Sequence, residues 1–280
     1  MLMSFPNIKA MVSLLDDTDN EVVQIVENQI KELGNVAVEY LEKEWEHNGL
    51  NPVIQKKIEN LVHEIQFQKL ETEILNWKND GTNDLLTGLW LIAKYQYPDL
   101  EIETLRKEII KIKNEIWIKT HEKMHPADMV KVINHVLFDV LGFESNTKNF
   151  HAESNSMFNL VLSQKKGNPV ALCCIYILVA EYLDLPIYGV NLPNLFVLIF
   201  DYPGYRFYIN AFNRGQIFVE KDIDEYLKQI KIEPDHKYYK ACSNQEIVIR
   251  ILTNLSYAFQ KNGDEYHQKE IDRLLEFFRD

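Results

Sequence analysis

GNPVALCCIYILVAEYL, residues 167–183, decides the fold. Asn168-Pro169 opens a helix that is almost wholly apolar through Ala180. A helix apolar on all sides belongs at the centre of a domain, because no face of it suits water. Strand signals follow at once: IYGVNL, LFVLIF and RFYINAF, parted by Pro193-Asn194 and by Asp201–Gly204. A buried central helix followed by a short antiparallel sheet describes an α+β domain.

Working outward, the rest of the chain reads as helix. Ile8, Met11, Val12 and Leu15 stand at helical spacing, then Asp16-Asp17-Thr18-Asp19 supplies turn and cap chemistry. Val22, Ile25, Val26, Ile30 and Leu33 continue the pattern to Gly34. Further helices are predicted over Val36–His47 and from Pro52 to Trp77, with Pro52 near the first helical position. Thr82 or Asn83 is placed to cap DLLTGLWLIAKYQY. Leu105, Ile109, Ile112 and Ile116 mark another amphipathic helix over 101–120, and Met129, Val132, Ile133, Val136 and Leu137 mark one from Pro126 to Gly142. Residues 143–157 are polar and loop-like, and two helices joined near Gly263-Asp264 close the chain. The fold class is therefore α+β, mostly α.

The composition of the 280 residues narrows the function classes. Apolar residues make up 46%, enough for ordinary cores, and 42 acidic against 30 basic side chains give a net charge of −12. Such a surface repels phosphate backbones, and the basic stretches Lys107–Lys113 and Lys165-Lys166 are short, so no nucleic-acid partner is expected. The longest apolar run, Val170–Ala180, is well short of the roughly 20 residues that span a bilayer. Cys173, Cys174 and Cys242 form an odd set in which two are adjacent, which suits free thiols in a reducing cytoplasm. The opening MLMSFPNIKAMVSLLDD has no basic start and soon reaches acids, unlike a signal peptide.

Three stretches in order carry a family resemblance: VINHVLFDVLGFESNTKNFHAESNSMFNLVLSQKKGNPVAL (132–172), LDLPIYGVNLPNLFVL (183–198) and FYINAFNRG (207–215). They resemble the SirB-type branch of the transglutaminase-like superfamily, with DLLTGLWLIAKYQYPDLE as its helical opening, over residues 82–230. LLDDTDNEVVQIVENQIKELG resembles a HEAT repeat within a helical region 1–80, and SNQEIVIRILTNLSYAFQKNGD is similar to a tetratricopeptide-like pair over 243–280.

The resemblance implies a fold and a set of positions to inspect. Active members use a Cys at the start of the central helix, a His in a P-x-H-F strand motif and an Asp in the following strand. Here those positions hold Ala171, Leu195 and Asn210. Leu195 cannot exchange a proton, and Asn210 cannot carry the acid's charge. The thiol chemistry would need a substitute, and Cys173 or Cys174 with His135 or His151 as base are the backup candidates. A Cys inside an apolar helix is more often an inert core residue.

A second enzymatic pattern, THEKMHPAD at 120–128, matches H-E-x-x-H through His121, Glu122 and His125. Zinc hydrolase chemistry requires both His on one helical face, with a third ligand arriving from elsewhere. Pro126 argues against a helix through the motif and fits the start of the next one, and Glu144 is not singled out as a third ligand. The leading expectation is a catalytically degenerate transglutaminase-like protein that binds or scaffolds proteins or peptides, with no cofactor. The alternatives are a thiol acyl transferase or peptidase using Cys173 or Cys174, and a zinc hydrolase using His121, Glu122 and His125. Oligomeric state is left open.

Overall fold

The computed structural model describes residues 6–121 and 124–279. The chain divides after Leu75 into two compact units. No helix among the described residues is long and apolar enough to cross a membrane.

The first unit is built from α1 (Pro6–Val12), α2 (Asn20–Glu32), α3 (Asn35–His47) and most of α4 (Pro52–Asn79). Its core joins Met11, Leu15, Val26, Ile30, Leu41, Ile58 and Ile65, each on the inward stripe that the three- and four-residue spacing defines. Asp19 caps α2 by accepting the Glu21 N–H at 2.9 Å.

The second unit adds α5 (Leu85–Lys94), α6 (Ile102–Trp117) and α7 (Pro126–Asn134), which runs on into one π-helical turn over His135–Val140. The cap of α5 is Asp84, not Thr82 or Asn83: its carboxylate accepts the Thr87 N–H at 2.8 Å. Asn83 has φ +44° and spends its amide on the carbonyls of Trp77 and Lys78, so it closes the end of α4. The loop-like 143–157 stretch contains β1 (Glu144–Ser145), which pairs in parallel with β2 (Lys166–Gly167). Between them lies α8 (Phe158–Gln164), a short helix.

The central helix is α9 (Pro169–Glu181), and every residue from Pro169 to Ala180 is buried. Burying a Val, Leu or Ile side chain is worth about 1.5–3 kcal/mol, so this element anchors the unit. The sheet follows as β3 (Ile187–Leu192), β4 (Leu195–Tyr202), β5 (Tyr205–Asn210) and β6 (Gln216–Phe218), antiparallel throughout and in that order. Val190, Leu192, Val197, Ile199 and Tyr208 pack on one face with Ile223 and Leu227 of α10 (Glu220–Gln229). Alternation turns Phe196, Leu198 and Phe200 to the other face, where α9 lies. Finally α11 (Asn244–Asn262) and α12 (Glu265–Glu276) form a hairpin, and α11 packs on α5, α9 and β3. The architecture is mostly helical α+β, as the sequence pattern predicts.

Candidate functional site: the entrance of the central helix

The entrance of α9 is built by two residues. Asn168 has extended backbone (φ −80°, ψ 174°), and its side-chain oxygen accepts the Ala171 N–H at 3.0 Å. Pro169 supplies the fixed φ of a first helical position and needs no acceptor for an N–H it lacks. Asn168 thus takes up two N–H groups of the helix start, since the Leu172 N–H also donates to its carbonyl at 3.1 Å. Ala171 is 4% exposed. A Cβ placed on Gly167 would lie 3.3 Å from the Ala171 methyl and 3.2 Å from Val161, so this corner is filled.

Leu195 is half-buried and packs on the apolar cluster shared by the sheet and α10. Asn210 ends β5, and its side-chain oxygen accepts the Asn213 N–H at 3.1 Å, capping a short turn over Ala211–Asn213. The α9 helix packs against β4, which Leu195 opens, and against the turn over Ala211–Asn213. The Cys173 S–H, two residues along from Ala171, donates to the Phe196 carbonyl at 3.7 Å. Phe196 follows Leu195, and Ala211 follows Asn210. Leu195 shares the sheet face of Val197 and Ile199, which packs on α10, so its isobutyl group lies on the side away from α9.

Cys173 and Cys174 are both 0% exposed. Burial pushes each thiol's pKa up, far from the range in which a thiolate forms at neutral pH. Their place past the first turn also removes them from the free N–H groups of the helix start. His135 is exposed and bonds Asp139 at 3.0 Å through Nδ1, while Asp139 also pairs with Arg214. The His135 and Arg214 contacts hold the Asp139 carboxyl below its ordinary pKa. His151 is exposed with its ring edge-on to Phe150 and Tyr257, at 5.0 and 4.9 Å between centroids. The described partners of both histidines are therefore surface groups and not a sulfur. A nucleophile needs an accessible thiolate and a base within hydrogen-bond reach, and the backup set of Cys173, Cys174, His135 and His151 has neither arrangement here.

The H-E-x-x-H stretch falls between helices, for α6 ends at Trp117 and α7 begins at Pro126. His125 is the cap of α7, with extended backbone and Nδ1 accepting the Ala127 N–H at 3.2 Å. Its ring stands edge-on to Tyr205 at 5.1 Å. His121 is exposed and outside any helix, and Glu122 lies outside the described residues. Two His one helical turn apart on one face is the geometry the zinc reading requires, and His121 and His125 do not share a helix.

One functional-looking side chain escaped the sequence reading. Arg250 sits in the apolar run of α11 between Ile249 and Ile251 and is only half exposed. A lone cation inside IVIRIL was the available signal.

The family model described as the transglutaminase-like superfamily matches residues 103–253, which take in α9, the whole sheet and the first half of α11. A UPF0162 protein of Xylella fastidiosa (strain Temecula1) is 29% identical over 223 residues, covering 71% of this chain and 75% of that protein. A UPF0162 protein of Vibrio cholerae is 24% identical over 182 residues, covering 62% of this chain and 66% of that protein. F-box only protein 21 of Mus musculus is 26% identical over 166 residues, 55% of this chain but 24% of that protein. No solved structure matches the chain. With more than half its length matched by the family, across the buried helix and the strands packed on it, the chain belongs to the transglutaminase-like superfamily.

Proposed function

We propose that this protein is a catalytically degenerate member of the superfamily, of the SirB-type branch, that works by binding or scaffolding proteins or peptides. One observation carries the reading: the nucleophile, base and acid positions hold Ala171, Leu195 and Asn210, whose side chains are committed to packing and capping. The sealed sulfurs of Cys173 and Cys174 support the same reading, since neither offers a replacement thiolate. The flanking helices, HEAT-like before the core and tetratricopeptide-like after it, supply surfaces of the kind used to hold partners. The likeness to about a quarter of F-box only protein 21 fits a module that serves within larger chains. The acidic net charge of −12 makes nucleic acid a poor partner.

The test is turnover. Purified protein is assayed for thiol-dependent acyl transfer to a primary amine and for peptide hydrolysis, beside Cys173→Ala and Cys174→Ala. No turnover above buffer is expected from any of the three. Turnover by the parent protein that either substitution abolishes would overturn the proposal in favour of a relocated thiol enzyme.

A further inference from the structure

A cleft of about 410 Å³ opens where the end of β3 and its turn meet the segment before α11. That is within the range of roughly 300–1,000 Å³ usual for small-molecule sites. Its wall is laid down by the backbone: the Cys242 N–H donates to the Gly189 carbonyl at 2.8 Å, so residues 240–242 run along the outer edge of β3. Arg250 reaches into this cleft from α11, with Lys237 and Lys240 on the opposite side.

The hydrogen bonds of Arg250 are one-sided. Nη1 alone donates, to the Asn191 side-chain oxygen at 3.1 Å and more weakly to the Leu192 carbonyl at 3.4 Å. Both acceptors are neutral. Nη2 and Nε have no acceptor among the described residues, and together they form the fork that fits two oxygens of one carboxylate or phosphate. Burial works against the charge of Arg250, a half-buried cation that forms no ion pair among the described residues.

Three other charged side chains line the cleft: Lys237, Lys240 and Glu246. Lys237 is paired with Asp235 at 2.9 Å. The Glu246 carboxylate is taken up by capping α11, accepting the Ser243 N–H at 2.7 Å and its hydroxyl at 3.0 Å. Lys240 is exposed and forms no ion pair among the described residues. Arg250 and Lys240, neither in an ion pair among the described residues, therefore face one cavity that also holds the charge of Glu246, in a protein whose net charge is −12. Arg250 as a structural pin between α11 and β3 would be served by Nη1 alone and would need neither the open fork nor Lys240.

We propose that this cleft binds a small anion bearing a carboxylate or phosphate group, with Arg250 as its two-pronged anchor and Lys240 as the second cation. The site is separate from the α9 entrance, and it stands or falls independently of the catalytic degeneracy proposed above.

Calorimetric titration at low ionic strength tests it, with inorganic phosphate and succinate as probes and chloride matched in both cells. One saturable site is expected for at least one probe, with Kd on the order of 1 mM or tighter. Binding by phosphate alone identifies a tetrahedral ligand group, and binding by succinate alone a carboxylate. Arg250→Lys keeps the charge and loses the fork, and is expected to weaken binding about tenfold or more. Lys240→Gln alters an exposed side chain that forms no ion pair, so it should leave the fold intact and weaken binding about threefold. No saturable binding of either probe to the parent protein up to about 20 mM, or equal binding by parent and both variants, would overturn the proposal.

Discussion

Asn168 connects the sequence to the site at the scale of a single side chain. Its oxygen holds the Ala171 N–H at 3.0 Å while the residue itself is 4% exposed, so water cannot substitute for it. Asn168→Ala should cost about 2 kcal/mol, combining a lost cap with a buried N–H left unpaired. The measurement is the urea midpoint, which should fall with the slope unchanged. A shift below about 0.5 kcal/mol would mean that the cap contributes little here. The same scale carries the proposal that Ala171, Leu195 and Asn210 do not perform chemistry. A methyl at Ala171 offers no nucleophile, and a Leu on an apolar face cannot relay a proton.

At the scale of elements, the turn after β5 is locked against α7. Gly215 has φ +73°, and any Cβ there would lie 1.8 Å from the Asn134 side-chain oxygen. That same Asn134 donates to the Gly215 carbonyl at 2.8 Å and accepts the Tyr176 hydroxyl of α9 at 3.2 Å. Gly215→Ala should therefore destabilise by about 3 kcal/mol or more, read by thermal unfolding or by loss of soluble protein. Adding Asn134→Ala to it should recover part of the loss, because the clash disappears while the backbone strain stays. This lock was not legible in the sequence, since it joins residues 81 positions apart. The apolar run of α9 and the three long strands were legible because each is a strong local pattern. The seven-residue α8 and the three-residue β6 are too short to show a period. The polar α10 is preceded by Val219 at its cap position, whose N–H is satisfied by Asp222 reaching back at 2.8 Å, so no ordinary cap residue announces it. The vacant positions of the site were readable because ordered motifs surround them, whereas the Arg250 cleft depends on a β3 edge that only the fold brings to α11.

At the scale of the whole molecule, the chain is an acidic, mostly helical protein whose second unit carries a transglutaminase-like core, and the proposed loss of catalysis belongs to that core. A working member of this kind presents a low-pKa thiolate at a helix entrance. This one keeps Cys173 and Cys174 at 0% exposure and leaves Cys242 partly exposed, with its pKa pushed up to about 12 by burial and by Glu246. The sign of those shifts fixes the expected behaviour: all three thiols stay protonated through neutral pH, and raising the pH by about one or two units should not switch them on as it does a free cysteine. The direct measurement is the rate of iodoacetamide labelling at each cysteine of the folded protein between about pH 7 and 9, read by peptide mass spectrometry against the urea-unfolded chain. The account predicts slow labelling at Cys242 and protection of Cys173 and Cys174 until unfolding. Labelling of Cys173 or Cys174 in the folded protein faster than in the unfolded chain at neutral pH would reveal an activated thiolate and contradict it.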